Sequence, residues 1–514
     1  MVNKTTMKRY LGVFLLILVL LSGCYQPGPG AKVWVASSGE GASNSAQGGE
    51  AGSAAETPAP SGWGEADNAL QTPTPNAPIT LPTLRSEVVY YTVQSGDTLA
   101  KIAGRYQVSV SQILQENTIA NPDVIEVGVT LLIPTPSFDL SAPSFKIIPD
   151  SELVYGPINA GFDLAAFVAS RNGYLASYAE EVDGVMTSGA DVVARIALEY
   201  SVNPRLLLAV LEYQSGWVTQ QTPASETLTY PLRVYDASRE GLYRQLALAA
   251  NILNEGYYLW QIEAISIWTL SDSTVVQADP TINAGTAGAL NLLRYLTTAE
   301  TWGTAVSENG LYAAFTRLFG NPFYYAYEPL IPADLTQPAL QLPFEAGDVW
   351  AFTSGPHGGW DSGSAWAALD FAPPDDVGCS PSAYWVAAVA PGEVVYSDNG
   401  IVIQDLDGDG IWQTGWSILY MHISSWERVA VGTSLAAGDR VGHASCEGGV
   451  STGTHLHLAR RYNGAWIAAD GSLPFVMDGW TSAGYGVEYD GSLIKGDRTV
   501  EAWDGRSAFN AIQR

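Results

Sequence analysis

The sequence predicts a multi-domain chain with three folded parts. These are a small βααβ module, an all-α middle domain and a mainly antiparallel β C-terminal domain. Three observations carry this. The chain has 514 residues, enough for several buried cores at roughly 100–200 residues per domain. Residues 24–86 are rich in Gly, Ala, Ser, Pro and Thr without an apolar period, so they cannot bury enough surface to offset chain entropy. After Pro343 helical spacing gives way to short alternating strands and Gly-rich turns. The expected divisions are 1–23 (export signal), 24–86 (disordered tether), 87–136, 137–340 and 341–514.

Acidic residues outnumber basic ones by 52 to 24, a net charge of −28. That excludes nucleic-acid binding, which needs a basic face to replace phosphate counterions. It also argues against attachment to an anionic surface by charge alone. Lys8 and Arg9 precede an apolar run, Leu11 to Leu21, followed by Ser22, Gly23 and Cys24. A basic region, a short apolar region and small residues before a cut describe an export signal. Leu-Ser-Gly-Cys there resembles the bacterial lipoprotein cleavage box, which implies lipid on the Cys24 sulfur and a membrane anchor facing the cell wall. In an exported chain the two remaining cysteines, Cys379 and Cys446, are a candidate disulfide pair.

In the small module, Val88–Val93 reads as a strand. Ser95-Gly96-Asp97 is a turn, with Asp97 placed to cap a helix begun by Thr98. Leu99, Ile102, Ala103 and Tyr106 recur at helical spacing, Ser109–Glu116 is a second short helix, and Leu131–Ile133 closes as a strand. The run Tyr91 to Leu99, with Asn117, Asn121-Pro122, Ile125, Gly128 and Ile133-Pro134, resembles a LysM module. The resemblance implies binding of N-acetylglucosamine-containing glycans, with contacts near Gly96, Asp97, Thr98, Asn121, Val124 and Ile125.

The middle domain shows helical stretches at Tyr243–Leu259 and Ala284–Leu296. Tyr200 to Trp217 resembles the active-site helix of lytic transglycosylases, which have a lysozyme-like fold. In that family an acid directly precedes the Ser-Gly pair, and here the position is Gln214. An amide has no titratable proton, so it cannot protonate a glycosidic oxygen. Glu212 lies roughly 200° away around the helix. A non-catalytic, lysozyme-like domain is expected.

All five histidines fall in the C-terminal part. His455-Leu456-His457-Leu458 would place two imidazoles on one face of a strand and both leucines in the core. His357 sits in Gly355-Pro356-His357-Gly358-Gly359. Asp370 follows an apolar run, where a carboxylate is costly to bury without a cation or good hydrogen bonds. His422 ends the apolar segment Leu419-Tyr420-Met421.

Together these residues resemble the lysostaphin/LytM-type zinc endopeptidases of peptidoglycan, and more closely their β-lytic branch. The His-x-x-x-Asp spacing of the lysostaphin branch would select Asp361, but that residue lacks an apolar strand. The longer gap of the β-lytic branch selects Asp370. The resemblance implies that His357, Asp370 and His457 hold Zn2+, that His455 is the general base and that His422 stabilises the oxyanion. His443 is left as structural or at the groove rim. Asp405-Leu406-Asp407-Gly408-Asp409 resembles the start of a calcium loop, but Trp416 stands where an EF-hand has Glu, so a tight acidic hairpin is expected. The resulting expectation is a lipid-anchored, zinc-dependent cell-wall hydrolase with peptidoglycan as its partner. The alternatives are a non-catalytic lipoprotein that regulates amidases, and a lytic transglycosylase.

Overall fold

The computed structural model describes residues 78–119, 121–122 and 124–514. The signal, Cys24 and nearly all of the tether lie outside the described residues. Among the described residues no helix is long and apolar enough to cross a membrane.

In the small module Val89–Thr92 pairs antiparallel with Thr130–Ile133, and Leu99–Tyr106 and Val110–Glu116 are helices. The first helix is capped by Thr98, whose hydroxyl accepts from Lys101 N–H, and not by Asp97. Asp97 lies one residue too early, and its carboxylate accepts instead from Gln94 N–H and the Tyr91 hydroxyl, both at 2.7 Å. That bond closes the turn in which Gly96 takes φ +86°, a conformation open to glycine without strain. Ser109 and Gln112 form a reciprocal capping box on the second helix.

The middle domain is mainly helical, with Gly189–Tyr200, Pro204–Ser215, Leu242–Gln261, Ala284–Leu296 and Leu311–Phe319 at its centre. Pro204 occupies the first turn of its helix behind the Asn203 cap. The domain is not all-α. Ala179–Val182 and Val185–Ser188 form a hairpin, and Leu140–Ser141, Val275–Gln277 and Ile267–Thr269 form a three-stranded sheet. Strands of two to four residues leave no usable period. The hairpin had one signal: Asp183-Gly184, both at positive φ, is a preferred two-residue turn.

The C-terminal part is built on a nine-stranded sheet. Its order is Ser434–Leu435, Gly392–Asp398, Ile401–Asp405, Trp416–Met421, Leu456–Tyr462, Ala368–Ala372, Val349–His357 and Ala511–Gln513, with Ala465–Trp466 off this path. All these pairings are antiparallel. The tail from Val476, which shows no clear strand period, forms a four-stranded sheet through Glu501. Short strands broken by Gly479, Gly486 and Gly496, all at positive φ, hid it.

Alternation divides the large sheet into two faces. Leu456, Leu458, Leu369, Phe371, Ile418 and Tyr420 fill the core inside the C-terminal part. On the other face Ala459, Ala368, Leu419, Met421, Ile401 and Ile403 join one core with the middle-domain helices. Buried hydrogen bonds reinforce this junction: Trp466 N–H to the Tyr258 hydroxyl at 2.9 Å, and Asn463 Nδ2 to Leu330 O at 2.8 Å.

Candidate metal centre and active site

The ligand-bearing face is set by strand register. His457 lies opposite Asp370 on one side and Met421 on the other. His357 ends the adjoining strand Val349–His357, and His422 follows Met421 in the left-handed region at φ +64°. His455 precedes its strand, held by an isolated bridge to Ser445, yet its ring reaches the same site.

Four of these histidines each aim one ring nitrogen at a backbone carbonyl. His357 Nδ1 faces Gly355 O at 2.8 Å, and His457 Nε2 faces Gly359 O at 3.1 Å. His455 Nδ1 faces Gly453 O at 2.7 Å, and His422 Nδ1 faces Glu447 O at 3.2 Å. A carbonyl only accepts, so each of these nitrogens carries a proton, and each ring, when neutral, presents its other nitrogen as a lone pair. Two of these other nitrogens converge. His357 Nε2 and His457 Nδ1 are 3.0 Å apart, and each lies 3.2 Å from Asp370 Oδ1. Despite these distances, Asp370 Oδ1 is buried without a hydrogen bond of acceptable geometry.

Three electron-rich atoms this close repel unless a cation sits among them. His357, Asp370 and His457 form a three-ligand group whose donor atoms lie within 4.8 Å of one another. Two nitrogens and one oxygen, with a fourth position left open, suit zinc in a catalytic setting. Burial raises the pKa of the Asp370 carboxyl, but His357 and His455, in their protonated forms, overcome this and hold it well below the usual carboxylate range. The group is therefore an anion ready to bind a cation. Burial, with His455 and His457 nearby, holds His422 well below the usual imidazole range, so that ring is neutral.

Around this group, His455 Nε2 is 3.8 Å from Asp370 Oδ2, and its ring is 4.5 Å from that of His422. Cys379 and Cys446 are joined by a disulfide. With Thr454 N–H donating to Gly378 O, it braces the loop after Asp370 against the approach to His455. Asp361 lies outside the group and accepts from the Tyr200 hydroxyl at 3.1 Å. His443 is also outside, held between two indoles. Asp405, Asp407 and Asp409 are close together, but Asp405 accepts N–H groups of Gly408 and Gly410 and Asp409 that of Ile411, within one hairpin.

The sequence reading missed Tyr489, whose ring stacks on His357 with centroids 4.8 Å apart. It comes from the tail sheet that had no recognisable period. In the small module, Val124 is exposed, whereas Ile125 packs against the core.

Comparison with known proteins divides the chain similarly. Residues 91–134 match the LysM domain, 146–333 the N-terminal domain of LasA, and 375–469 peptidase family M23. Protease LasA of Pseudomonas aeruginosa strain UCBPP-PA14 is 29% identical over 353 residues, covering 65% of this chain and 78% of that protein. The β-lytic metalloendopeptidase of Achromobacter lyticus is 27% identical over 158 residues, covering 29% and 40% respectively. Among solved structures, the M23 metalloprotease pseudoalterin from the deep sea is 20% identical, with a TM-score of 0.28, covering 35% of this chain and all of that one. The chain thus combines a LysM domain with a peptidase domain of the M23 kind.

Proposed function

We propose that the chain is an exported, zinc-dependent endopeptidase that hydrolyses peptide bonds in peptidoglycan stems or cross-bridges. The observation that supports this best is the convergence of His357 Nε2 and His457 Nδ1 on the buried Asp370 Oδ1, each at 3.2 Å. When bound by His357, Asp370 and His457, zinc supplies a Lewis acid and lowers the pKa of water to about 7.

The chain's own groups do the rest. His455 keeps its Nδ1 proton on Gly453 O, so its free Nε2 can take a proton from the attacking water and pass it to the leaving amine. His422 has the same arrangement, with Nδ1 on Glu447 O. A neutral His422 can donate to the developing oxyanion only as the tautomer with its single proton on Nε2, which gives up the bond to Glu447 O. The ligand side chains are nearly buried, so a bond free of bulky neighbours would reach them most readily. That suits glycyl bonds, which carry no side chain.

The LysM module would hold the peptidase on N-acetylglucosamine-containing glycans through Gly96, Asp97, Thr98 and the Asn121–Ile125 segment, raising local substrate concentration. A lipid on Cys24 would tether the chain to a membrane facing the wall. The middle domain is proposed to be non-catalytic, since Gln214 stands where a transglycosylase needs an acid.

Zinc analysis of the purified chain, with mass spectrometry of digested cross-linked peptidoglycan, tests the proposal. One zinc per chain and newly released amino groups are expected. Metal-free, inactive protein would return the chain to the amidase-regulator alternative, and anhydro-sugar ends would indicate a transglycosylase.

A further inference from the structure

We propose that the loop following His422 carries a saccharide-binding platform, the outer face of Trp426, which takes an N-acetylhexosamine-containing glycan. This rests on the reading of the substrate as peptidoglycan and adds to it a site outside both the metal group and the LysM module.

The platform is a built stack. The Arg440 guanidinium lies 4.5 Å over Trp385. Trp385 is 3.8 Å from the His443 ring, and Trp426 is 4.2 Å from it at an interplanar angle of 12°. Two indoles that close to one imidazole must cover its opposite faces. His443 is buried and held at Nδ1 by Tyr384 O, with the Glu427 carboxylate 3.3 Å from Nε2. The loop is fixed as well. Trp426 N–H donates to Ser424 Oγ, and Ser424 and Ser425 bond the Glu447 carboxylate. Yet Trp426 is 50% exposed. With one face on His443, its other flat face meets water.

A rigid aromatic face that stays exposed is an apolar surface awaiting an amphipathic partner. Glu427, next to it in the chain and with an exposed carboxylate, can accept from sugar hydroxyl and amide groups, whereas Glu447 is taken up by Ser424, Ser425 and Arg428. The Glu427 carboxylate disfavours an acidic peptide, and the net charge of −28 disfavours other anionic partners. One indole is far smaller than the roughly 1,000 Å² of a stable protein interface. The position is also apt. Trp426 is four residues from His422, at most about 14 Å along the chain, so a sugar on the indole would lie within reach of a stem peptide that enters the site.

The test uses the full chain labelled with 5-fluorotryptophan and titrated with chitotetraose by 19F NMR. Residues 87–136 contain no tryptophan, so binding at the LysM module is not itself reported. The Trp426 resonance, assigned by its loss in Trp426→Phe, is expected to shift and saturate in the millimolar range. No shift up to about 10 mM, or a shift with a glycan-free stem peptide instead, would overturn the proposal. Trp426→Ala should raise KM about fivefold on glycan-bearing cross-linked fragments and leave it unchanged on the glycan-free peptide, with kcat retained on both. Equal loss on both substrates would make Trp426 a wall of the peptide site and overturn the platform. Wild type that cuts neither substrate would sink the endopeptidase reading while leaving the 19F result to stand alone.

Discussion

The LysM module and the large C-terminal sheet complete their cores in opposite ways. The module closes on itself: Val93, Leu99, Ile102, Ile113, Leu131 and Ile133 are buried among one another. The sheet does not. One face has its own core, while Ala459, Leu419, Ile401 and Ile403 on the other are buried only by sharing a core with the middle domain. A boundary in sequence is therefore a boundary in packing near residue 136 but not near residue 340. The face with the shared core is also the face that carries His457 and Asp370.

Truncation should break this comparison most visibly. Deleting 87–136 should leave the melting temperature of the remainder unchanged. A fragment of 341–514 should lose cooperative melting or aggregate, because a wide apolar face becomes exposed; calorimetry and gel filtration would read both. A fragment that melts like the full chain would show the shared core to be dispensable. Next in size, His457→Ala should weaken zinc binding by about 100-fold or more, measured by chelator competition, while secondary structure by circular dichroism is retained. Truncating large core side chains should then separate the two regions. Trp466→Ala should cost about 3–5 kcal/mol and Ile102→Ala about 2–5 kcal/mol. The first should lower the joint helix-and-sheet transition and the second only that of the LysM module.

The smallest expected effect depends on pH. Glu152 is buried beside Asn203 and Arg205 in the shared unit. Burial pushes its pKa up to about 7, although both neighbours pull it down. Its raised folded-state value means that protonation favours folding. That stability is complete below the unfolded value near 4.5 and is lost as pH rises towards about 7. The joint transition should thus fall by a few degrees, about 2–4 °C per kcal/mol, between pH 5 and pH 8. Glu152→Gln should flatten this dependence, and the LysM transition should not share it.

Much of this was readable from residue order because the signals were local. Ser109 with Gln112, Asn203 before Pro204, and the span Ala284–Leu296 each follow from caps or a full helical period. The spacing of His455 and His457, and the apolar strand around Asp370, brought the candidate ligands into view. What stayed hidden was non-local or too short. Tyr489 reaches His357 only because the tail sheet folds back. The Asp183-Gly184 turn was the single mark of a hairpin with four-residue strands. Nothing in the pattern of Ala459 or Ile403 says that helices from another segment will cover them, since an inward residue looks the same whichever layer buries it.

The loop Gly358–Ser364 links the metal group to the middle-domain helices. At one end the Gly359 carbonyl fixes the proton on His457 Nε2. At the other, Asn251 of the middle domain accepts Gly363 N–H at 2.7 Å, and the Tyr200 hydroxyl donates to Asp361. Ligand orientation and helix docking therefore share a coupling free energy, and such coupling is reciprocal. Docked helices hold the His457 ring in place, and an ion bound there would in turn hold the helices down. Stripping metal should loosen a surface far from the ligands, and amide hydrogen exchange along Leu242–Gln261 would register it.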